Sequence, residues 1–423
     1  MRKMKDSGID WIGAIPENWS VKKFKYFFDI IGGCGFKEEY QGKETGDFPF
    51  CKASDINGKE KTVSSAKNYV DNDLVSSERY SVIPAGSILI AKIGEALKKN
   101  HRKINTVPCI VDNNCEAFLP NSECDINYLY YVLKHIDMFW FDNGGTIPSV
   151  NNAKLRNFYL PCNEVATQKR ISTYLDDKCS RLDYIIAKQH EVIEKLNAYK
   201  LSVIAESVTK GIVSNRKVKD SNCEFIGQVP AEWQVMKFGR CVAIKSNLVP
   251  PEDYAEYPQI SPEHIEKNSG RLLDTYTTVK ESGVISGNHL FFEGQIIYSK
   301  IRPMLNKVTV APFDGLCSAD MYPIETDNYT RFILYMMLSD YFTAQVGLVT
   351  ENRVKMPKIN QNELSNITVA LPPMEEQKEI ADYLDKKCAA IDSSIAKRQQ
   401  LIDKLTEYKK SLIFEVVTGK KEV

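Results

Sequence analysis

One long segment occurs twice in this chain of 423 residues, and that duplication limits the possible architectures more than any local pattern. Residues 168–209 recur at 377–418, an offset of 209 positions. Tyr174-Leu175-Asp176 matches Tyr383-Leu384-Asp385, and Ile186-Ala187-Lys188 matches Ile395-Ala396-Lys397. Tyr199-Lys200 matches Tyr408-Lys409, and Val208-Thr209 matches Val417-Thr418. A second echo opens each half: Ile12-Gly13-Ala14-Ile15-Pro16-Glu17-Asn18-Trp19 against Ile226-Gly227-Gln228-Val229-Pro230-Ala231-Glu232-Trp233. A repeat of this length implies two copies of one structural unit, arranged about a pseudo-twofold axis.

The repeated segment reads as a long helix. After Gln168 no Gly or Pro occurs until Gly211, and the apolar residues step in threes and fours. Ile171, Leu175, Leu182, Ile185, Val192, Leu196, Tyr199 and Val203 fall on heptad a and d positions. Ile380, Leu384, Ile391, Leu401, Leu405, Tyr408 and Leu412 take the equivalent places in the second copy. Polar residues interrupt the seam at matching points, Lys178 with Lys387 and Gln189 with Arg398, and polar seam residues fix register at a cost in stability. The pattern predicts an antiparallel coiled coil of two helices, each on the order of 60 Å long at about 1.5 Å per residue. The competing reading is two independent amphipathic helices, each lying on its own domain. Gly211 and Gly419 are expected near the helix C-termini, where glycine accepts a left-handed cap.

The domain plan is therefore 1–165 and 216–374 as globular units, with helical segments at 166–215 and 375–423. Both globular units read as mixed α/β, giving an α+β chain. Ser87-Ile88-Leu89-Ile90 and Gln295-Ile296-Ile297-Tyr298 are strand-like runs behind the turn signals Pro84-Ala85-Gly86 and Phe292-Glu293-Gly294. Each run leads to a basic corner, Lys92-Ile93 and Lys300-Ile301-Arg302-Pro303, and later to a helical aromatic stretch at 128–133 or 332–338 whose rings are expected in the core. Framework points match between the units, Phe48-Pro49 with Tyr257-Pro258, Pro148 with Pro357 and Asn151 with Asn360, while the residues between differ almost completely. One frame carrying two different surfaces suggests recognition of two different things.

Composition excludes several classes. A hydrophobic content of 43% and a charged content of 26% are ordinary for a soluble protein. No apolar run approaches the ~20 residues of a membrane span and no signal-peptide core is seen, so a cytoplasmic location is expected. Eleven scattered cysteines without a C-x-x-C pair are expected to be reduced structural thiols, with no metal site. No phosphate loop, dinucleotide fingerprint, H-E-x-x-H or G-x-S-x-G elbow occurs, so no catalytic residue is assigned. What the units do carry is basic and amide side chains at loop positions. In the first these are Lys92, Lys98, Lys99, Asn100, Arg102, Lys103, Asn143, Asn151, Asn152 and Lys154; in the second, Lys300, Arg302, Asn306, Lys307, Asn352, Arg353, Lys355, Lys358, Asn360 and Gln361. Lys and Arg suit phosphates, while Arg, Asn and Gln can bond base edges in pairs.

Three sets of residues together resemble the DNA specificity subunit of type I restriction–modification systems. They are the Ile-Gly-x-Ile/Val-Pro-x-x-Trp openings at 12–19 and 226–233, the strand and corner Gly294-Gln295-Ile296-Ile297-Tyr298-Ser299-Lys300-Ile301-Arg302-Pro303, and the helix entry Leu371-Pro372-Pro373-Met374-Glu375-Glu376-Gln377. The first-half corner, Lys92-Ile93-Gly94-Glu95, departs from the Arg-Pro form. The resemblance implies a non-catalytic subunit with two target recognition domains, each reading one half of a split DNA site, spaced by the helices. It also implies partners: double-stranded DNA, two methyltransferase subunits and restriction subunits, with S-adenosylmethionine, ATP and Mg on those partners and no cofactor on this chain. The formal net charge of +0 is low for a DNA-binding protein; the expectation is that local patches and partner subunits together supply the cationic clamp. Two other readings differ in their signatures. A self-sufficient amino-methyltransferase needs a [D/N]-P-P-[Y/F/W] motif, which Pro250-Pro251 and Pro372-Pro373 lack. A purely structural adaptor predicts no sequence-selective DNA binding.

Overall fold

The computed structural model describes residues 2–423 except Lys59, Ser122, Asn352, Val354 and Lys355. The chain divides into two compact units, residues 1–188 with 401–423, and residues 189–400. Each therefore contains one globular part and a stretch of both repeated helices.

In the first unit β1 (Phe28–Gly32), β2 (Thr62–Val63), β3 (Ile88–Ala91), β4 (Arg102–Asn105) and β5 (Cys115–Pro120) form a sheet in the order β1-β5-β3-β4-β2. All neighbours are antiparallel except β2 with β4. The Ile-Leu-Ile run of β3 is apolar throughout because both of its faces are covered. Ile88 and Ile90 enter the main core with the aromatic helix α1 (Ile126–His135), while Leu89 enters a second core on the opposite face. That core also takes Cys51, Cys109 and Cys115, and all eleven cysteines of the chain are free thiols.

The second unit repeats the plan with β6 (Ala243–Ile244), β7 (Ile296–Ser299), β8 (Val308–Val310) and β9 (Met321–Glu325) in the order β6-β9-β7-β8, all antiparallel. Ile296 and Tyr298 face the main core and Ile297 faces away, the same alternation as in β3. The aromatic helix α3 (Thr330–Leu338) buries every residue from Phe332 to Leu338. It is followed by α4 (Asp340–Thr350). This apolar pair is bent by 60°; among the described residues no single helix is long and apolar enough to cross a membrane.

The repeated segments are single helices, α2 (Val165–Lys210, 46 residues) and α5 (Met374–Val417, 44 residues). At about 1.5 Å per residue each is on the order of 65–70 Å long. Their ends are core elements. Ile171, Leu175 and Cys179 of α2 pack with Leu412, Ile413, Val416 and Val417 of α5 in the first unit. Val203, Ile204 and Val208 pack with Ile380, Ala381, Leu384 and Cys388 in the second. The polar anchors also repeat. Gln168 accepts from the Asp125 amide at 2.8 Å, and Gln377 accepts from the Tyr329 amide at 2.9 Å. Asp176 accepts from Tyr131 Oη at 2.6 Å and from Lys61 Nζ; Asp385 accepts from Tyr335 Oη at 2.6 Å and from Arg331. Each aromatic helix is thereby tied to a long helix by the same carboxylate.

Within the second unit the two helices run antiparallel, with Gln189 opposite Arg398 and Lys200 opposite Asp392. In the first unit Lys409 pairs with Asp183 at 2.5 Å. These contacts exchange under the repeat: Asp183 corresponds to Asp392 and Lys200 to Lys409, so the two ion pairs are one interaction seen twice. Gln189 and Arg398 correspond to each other, and Arg398 Nη1 donates to Gln189 Oε1 at 2.7 Å. A residue that meets its own repeat counterpart is what antiparallel pairing of two copies of one helix requires at this level.

The predicted seam needs correction at several positions, beginning with Ile185, which is 41% exposed. Leu175, Leu384 and Ile391 are buried, and Leu182, Leu196 and Leu405 are half-buried. Tyr199 and Tyr408 instead lie outside the seam, 48% and 51% exposed, and Ile402 rather than Leu401 turns inward. Burial follows what packs on each stretch rather than the heptad count: Val203 and Leu412, one step further along, are buried in the globular cores. Gly211 and Gly419 close the helices at φ +74°, and a Cβ on Gly419 would stand 2.6 Å from Pro16 Cδ and 3.1 Å from Trp19. A Cβ on Gly211 would likewise meet Trp233 at 3.4 Å. The Pro-x-x-Trp openings are thus the plates on which the helix C-termini seat.

Candidate nucleic-acid interface

Each unit builds the same corner after its central strand. In the first, the Gly94 amide donates to Pro148 O at 2.8 Å and the Val150 amide to Lys92 O at 3.0 Å. In the second, the Arg302 amide donates to Pro357 O at 2.8 Å and the Ile359 amide to Lys300 O at 2.9 Å. The bridges Ile93–Ser149 and Ile301–Lys358 complete the correspondence. The fold therefore joins the two clusters that the sequence placed far apart, Lys92 with 149–154 and Lys300–Arg302 with 357–361.

Equivalent positions in these corners carry different chemistry. Gly94 and Arg302 both have positive φ, +68° and +45°. Glycine takes this region freely, whereas an L-residue there costs about 1–3 kcal/mol. Arg302 also precedes Pro303, which adds its own restriction against that region's neighbours. Its guanidinium is exposed and has no hydrogen-bond or ion-pair partner among the described residues. On the neighbouring strand, Glu116 lies opposite Ile90 and Tyr322 opposite Tyr298, so a carboxyl in one unit stands where a phenol stands in the other. Glu116 is wholly buried, and burial pushes its carboxyl above the ordinary range. Asn152 Nδ2 donates to one oxygen at 2.9 Å, leaving Glu116 Oε1 without a partner among the described residues.

Several predicted contact residues turn out to hold the frame. Arg102 is 2% exposed: it donates to Leu133 O, to Ile136 O at 3.0 Å, and to Asn100, so it caps the carbonyl end of α1. Desolvation lowers it to about 10. Asn100 and Asn306 are matching left-handed residues, φ +53° and +41°, that donate to Ile136 O at 3.1 Å and Met337 O at 3.0 Å. Lys103 is buried beside Glu60, at 3.2 Å, and Lys307 donates to Pro262 O at 2.5 Å. Asn151 and Asn360 are helix N-caps: Asn151 accepts from the Ala153 and Lys154 amides, both at 3.0 Å, and Asn360 from the Glu363 amide at 2.9 Å. Arg102, Lys103 and Asn306 have no surface to offer a duplex. Their composition suggested readers because basic and amide residues serve equally well as ties to buried carbonyls.

The remaining candidates lie at the surface. Lys99 is exposed; Lys98 pairs with Glu95 at 2.6 Å; Lys154 reaches Asp142 O at 3.2 Å. Lys92 and Asn152 are half-buried. In the second unit Lys300 lies 5.2 Å from the Tyr322 ring centroid, and Lys358 pairs with Asp320 at 2.9 Å. Arg353 pairs with Glu363 and holds that carboxyl below its usual range. Gln361 is half-buried at the head of a short helix, and Lys355 and Asn352 lie outside the described residues. Sequence reasoning overlooked a further set of exposed residues beside the corners: Phe139, Trp140 and Ile147 in the first unit, Met304, Leu348 and Met356 in the second. Only Phe139-Trp140 followed by the Gly144-Gly145 turn hinted at an apolar loop tip. Among the described residues no group of His, Cys, Asp and Glu could hold a metal ion.

A frame built twice, with unlike side chains at equivalent corners, is the plan of a protein with two recognition surfaces. The family described as the type I restriction modification DNA specificity domain matches residues 16–195 and again 230–404. The chain belongs to this family. It is 30% identical over 309 residues to the type I restriction enzyme EcoDI specificity subunit of Escherichia coli, covering 69% of each chain. It is 24% identical over 438 residues to the putative type I restriction enzyme MjaX specificity subunit of Methanocaldococcus jannaschii, covering 97% of this chain and 95% of that one. Among solved structures, one described as the basis of complex assembly and conformational transition of the type I R-M system superposes with a TM-score of 0.72 at 14% identity, over 96% of this chain and 99% of that one. The HsdS subunit from Thermoanaerobacter tengcongensis does so with a TM-score of 0.52 at 15% identity, over 96% and 98%. These two likenesses bear on the fold.

Proposed function

We propose that this chain is the non-catalytic specificity subunit of a type I restriction–modification complex, in which each unit reads one half of a bipartite, asymmetric DNA site. The observation that carries the reading is the contrast between the corners: the same backbone bonds in both units present Gly94 in one and Arg302 in the other. A single symmetric ligand would not require unlike faces on a conserved frame; two different half-sites would. Helices of 65–70 Å are long enough to hold readers more than one ~34 Å duplex turn apart.

Two methyltransferase subunits dock on the repeated helices in this reading. A partner present in two identical copies should meet matching surface, and the exposed Tyr199 and Tyr408 occupy repeat-equivalent positions. Restriction subunits join through that assembly, in the cytoplasm where the host DNA lies. S-adenosylmethionine, ATP and Mg belong to the partners, and the partners supply the cationic surface that this neutral chain lacks.

The test is an exchange of residues 20–150 for those of a relative, followed by methylome sequencing of cells that carry the hybrid. One half of the methylated sequence is expected to change and the other to persist. A change in both halves would refute independent readers, and an absence of sequence-selective methylation in cells with the intact chain would favour a purely structural adaptor.

A further inference from the structure

Beside each corner lies an apolar surface that the fold leaves open. In the first unit the 3-10 turn Met138–Phe141 buries its outer residues, Met138 and Phe141, because side chains three apart stack on one side of such a turn. Phe139 and Trp140 are thereby forced outward, 42% and 52% exposed, and Trp140 leans on Phe158 at 6.3 Å between centroids. The corner helix Gly94–Lys98 packs on this turn. In the second unit α4 buries Tyr341, Phe342, Gln345 and Val346 and turns Leu348 outward, 61% exposed. Met304, which follows Arg302 and Pro303 in the corner, crosses α4 at Gly347, where a Cβ would stand 3.0 Å from its Sδ. Single exposed apolar residues are commonplace, but contiguous ones beside exposed cations mark a contact surface.

The two occupants to weigh are a protein partner and the duplex. A modification subunit present twice would meet the same residues in both units, as the long helices do. These surfaces differ: an aromatic turn against an aliphatic helix, Trp140 against Leu348, and a five-residue corner helix with Gly94 against a three-residue turn with Arg302. Unlike surfaces at equivalent places match the one occupant whose two halves differ. Resting on the function proposed above, we propose that both apolar surfaces contact DNA and read the shape of their half-sites, Trp140 by stacking on an exposed base or sugar face and Met304 as a wedge in the groove beside Arg302. Aromatic stacking and inserted apolar side chains are established ways for protein to engage or unstack bases.

The experiment uses the full chain assembled with its modification subunits and measures affinity for the cognate duplex and for duplexes scrambled in one half-site. Trp140→Ala is expected to weaken cognate binding about tenfold, with Trp140→Phe close to wild type. That loss should vanish on a duplex whose first half-site is already scrambled, and Met304→Ala should show the same coupling to the second half-site alone. Ile147→Ser, a change at a side chain 66% exposed, keeps the test available should Trp140→Ala fail to fold. Affinities within twofold of wild type for all variants overturn the inference. So does loss of modification subunits on co-purification with DNA affinity per assembled complex unchanged, which would assign the surfaces to protein docking. If the wild-type complex itself fails to discriminate cognate from scrambled duplex, the specificity reading is what fails.

Discussion

Three buried or strained residues show how the two halves diverged on one frame. Arg102 in β4 faces Ile90 in the way that Val308 in β8 faces Tyr298, so a guanidinium fills a place where the other unit holds a fully buried valine. Its bonds to the carbonyl end of α1 make it a structural tie. Arg102→Met should lower the stability of the first unit by about 3 kcal/mol, since it strands buried carbonyls, yet leave the bases read unchanged; urea unfolding with methylome sequencing at a permissive temperature checks both. Arg302 is the opposite case. Arg302→Gly removes a left-handed L-residue, so the protein should melt at or above the wild-type temperature while duplex affinity falls. If Arg302 meets a phosphate, the slope of log affinity against log salt should shrink by about one. Glu116 supplies a pH signature. Its folded carboxyl is raised by burial, so the folded state binds the proton more tightly than the unfolded chain. Its contribution is full below the ordinary carboxylate range and declines as pH rises through the raised folded value. Glu116→Gln should therefore raise the thermal midpoint at pH 7–8 relative to wild type, with the gap closing towards pH 4; an equal gap at every pH would contradict this.

At the scale of elements, the long helices were the most legible part of the sequence. The 42 residues between Gln168 and Gly211, without Gly or Pro and with two matched polar interruptions, leave few alternatives to a paired helix. The strands at 88–91 and 296–299 were readable for a related reason: a short apolar run behind a turn suits a strand covered on both faces. Heptad bookkeeping failed at Ile185, Tyr199, Leu401 and Tyr408, which are exposed although the helices are still paired beside the two tyrosines through Lys200–Asp392 and Lys409–Asp183. The ion pairs Asp183–Lys409 and Lys200–Asp392 join largely buried lysines to half-exposed carboxylates. Each should contribute about 0.5–1 kcal/mol. Reversing Lys200→Asp alone should destabilise the second unit, and adding Asp392→Lys should restore most of the loss. A double-mutant cycle by chemical denaturation measures the coupling, and independent, additive effects would show that the pair does not hold the register.

For the molecule as a whole, the repeat makes the helix length a design variable separate from the readers. Inserting one heptad into both α2 and α5 at the Gln189 and Arg398 level preserves the seam and lengthens it by about 10 Å, close to three base pairs of duplex at ~3.4 Å each. Methylome sequencing should then report a longer non-specific spacer with both half-sequences intact; an unaltered spacer would rule out a ruler. Duplication, helix length, core strands and the absence of catalytic motifs were all visible in residue order, because period and composition are local properties of a chain. Which basic side chains face outward was not visible. Arg102 and Arg302 are the same residue type in or just beyond a core strand, and only the packing of α1 over one and the bend at Pro303 beside the other separates a buried tie from an exposed side chain. Burial is a property of what folds against a residue, and those contacts come from parts of the chain that its neighbours in sequence do not specify.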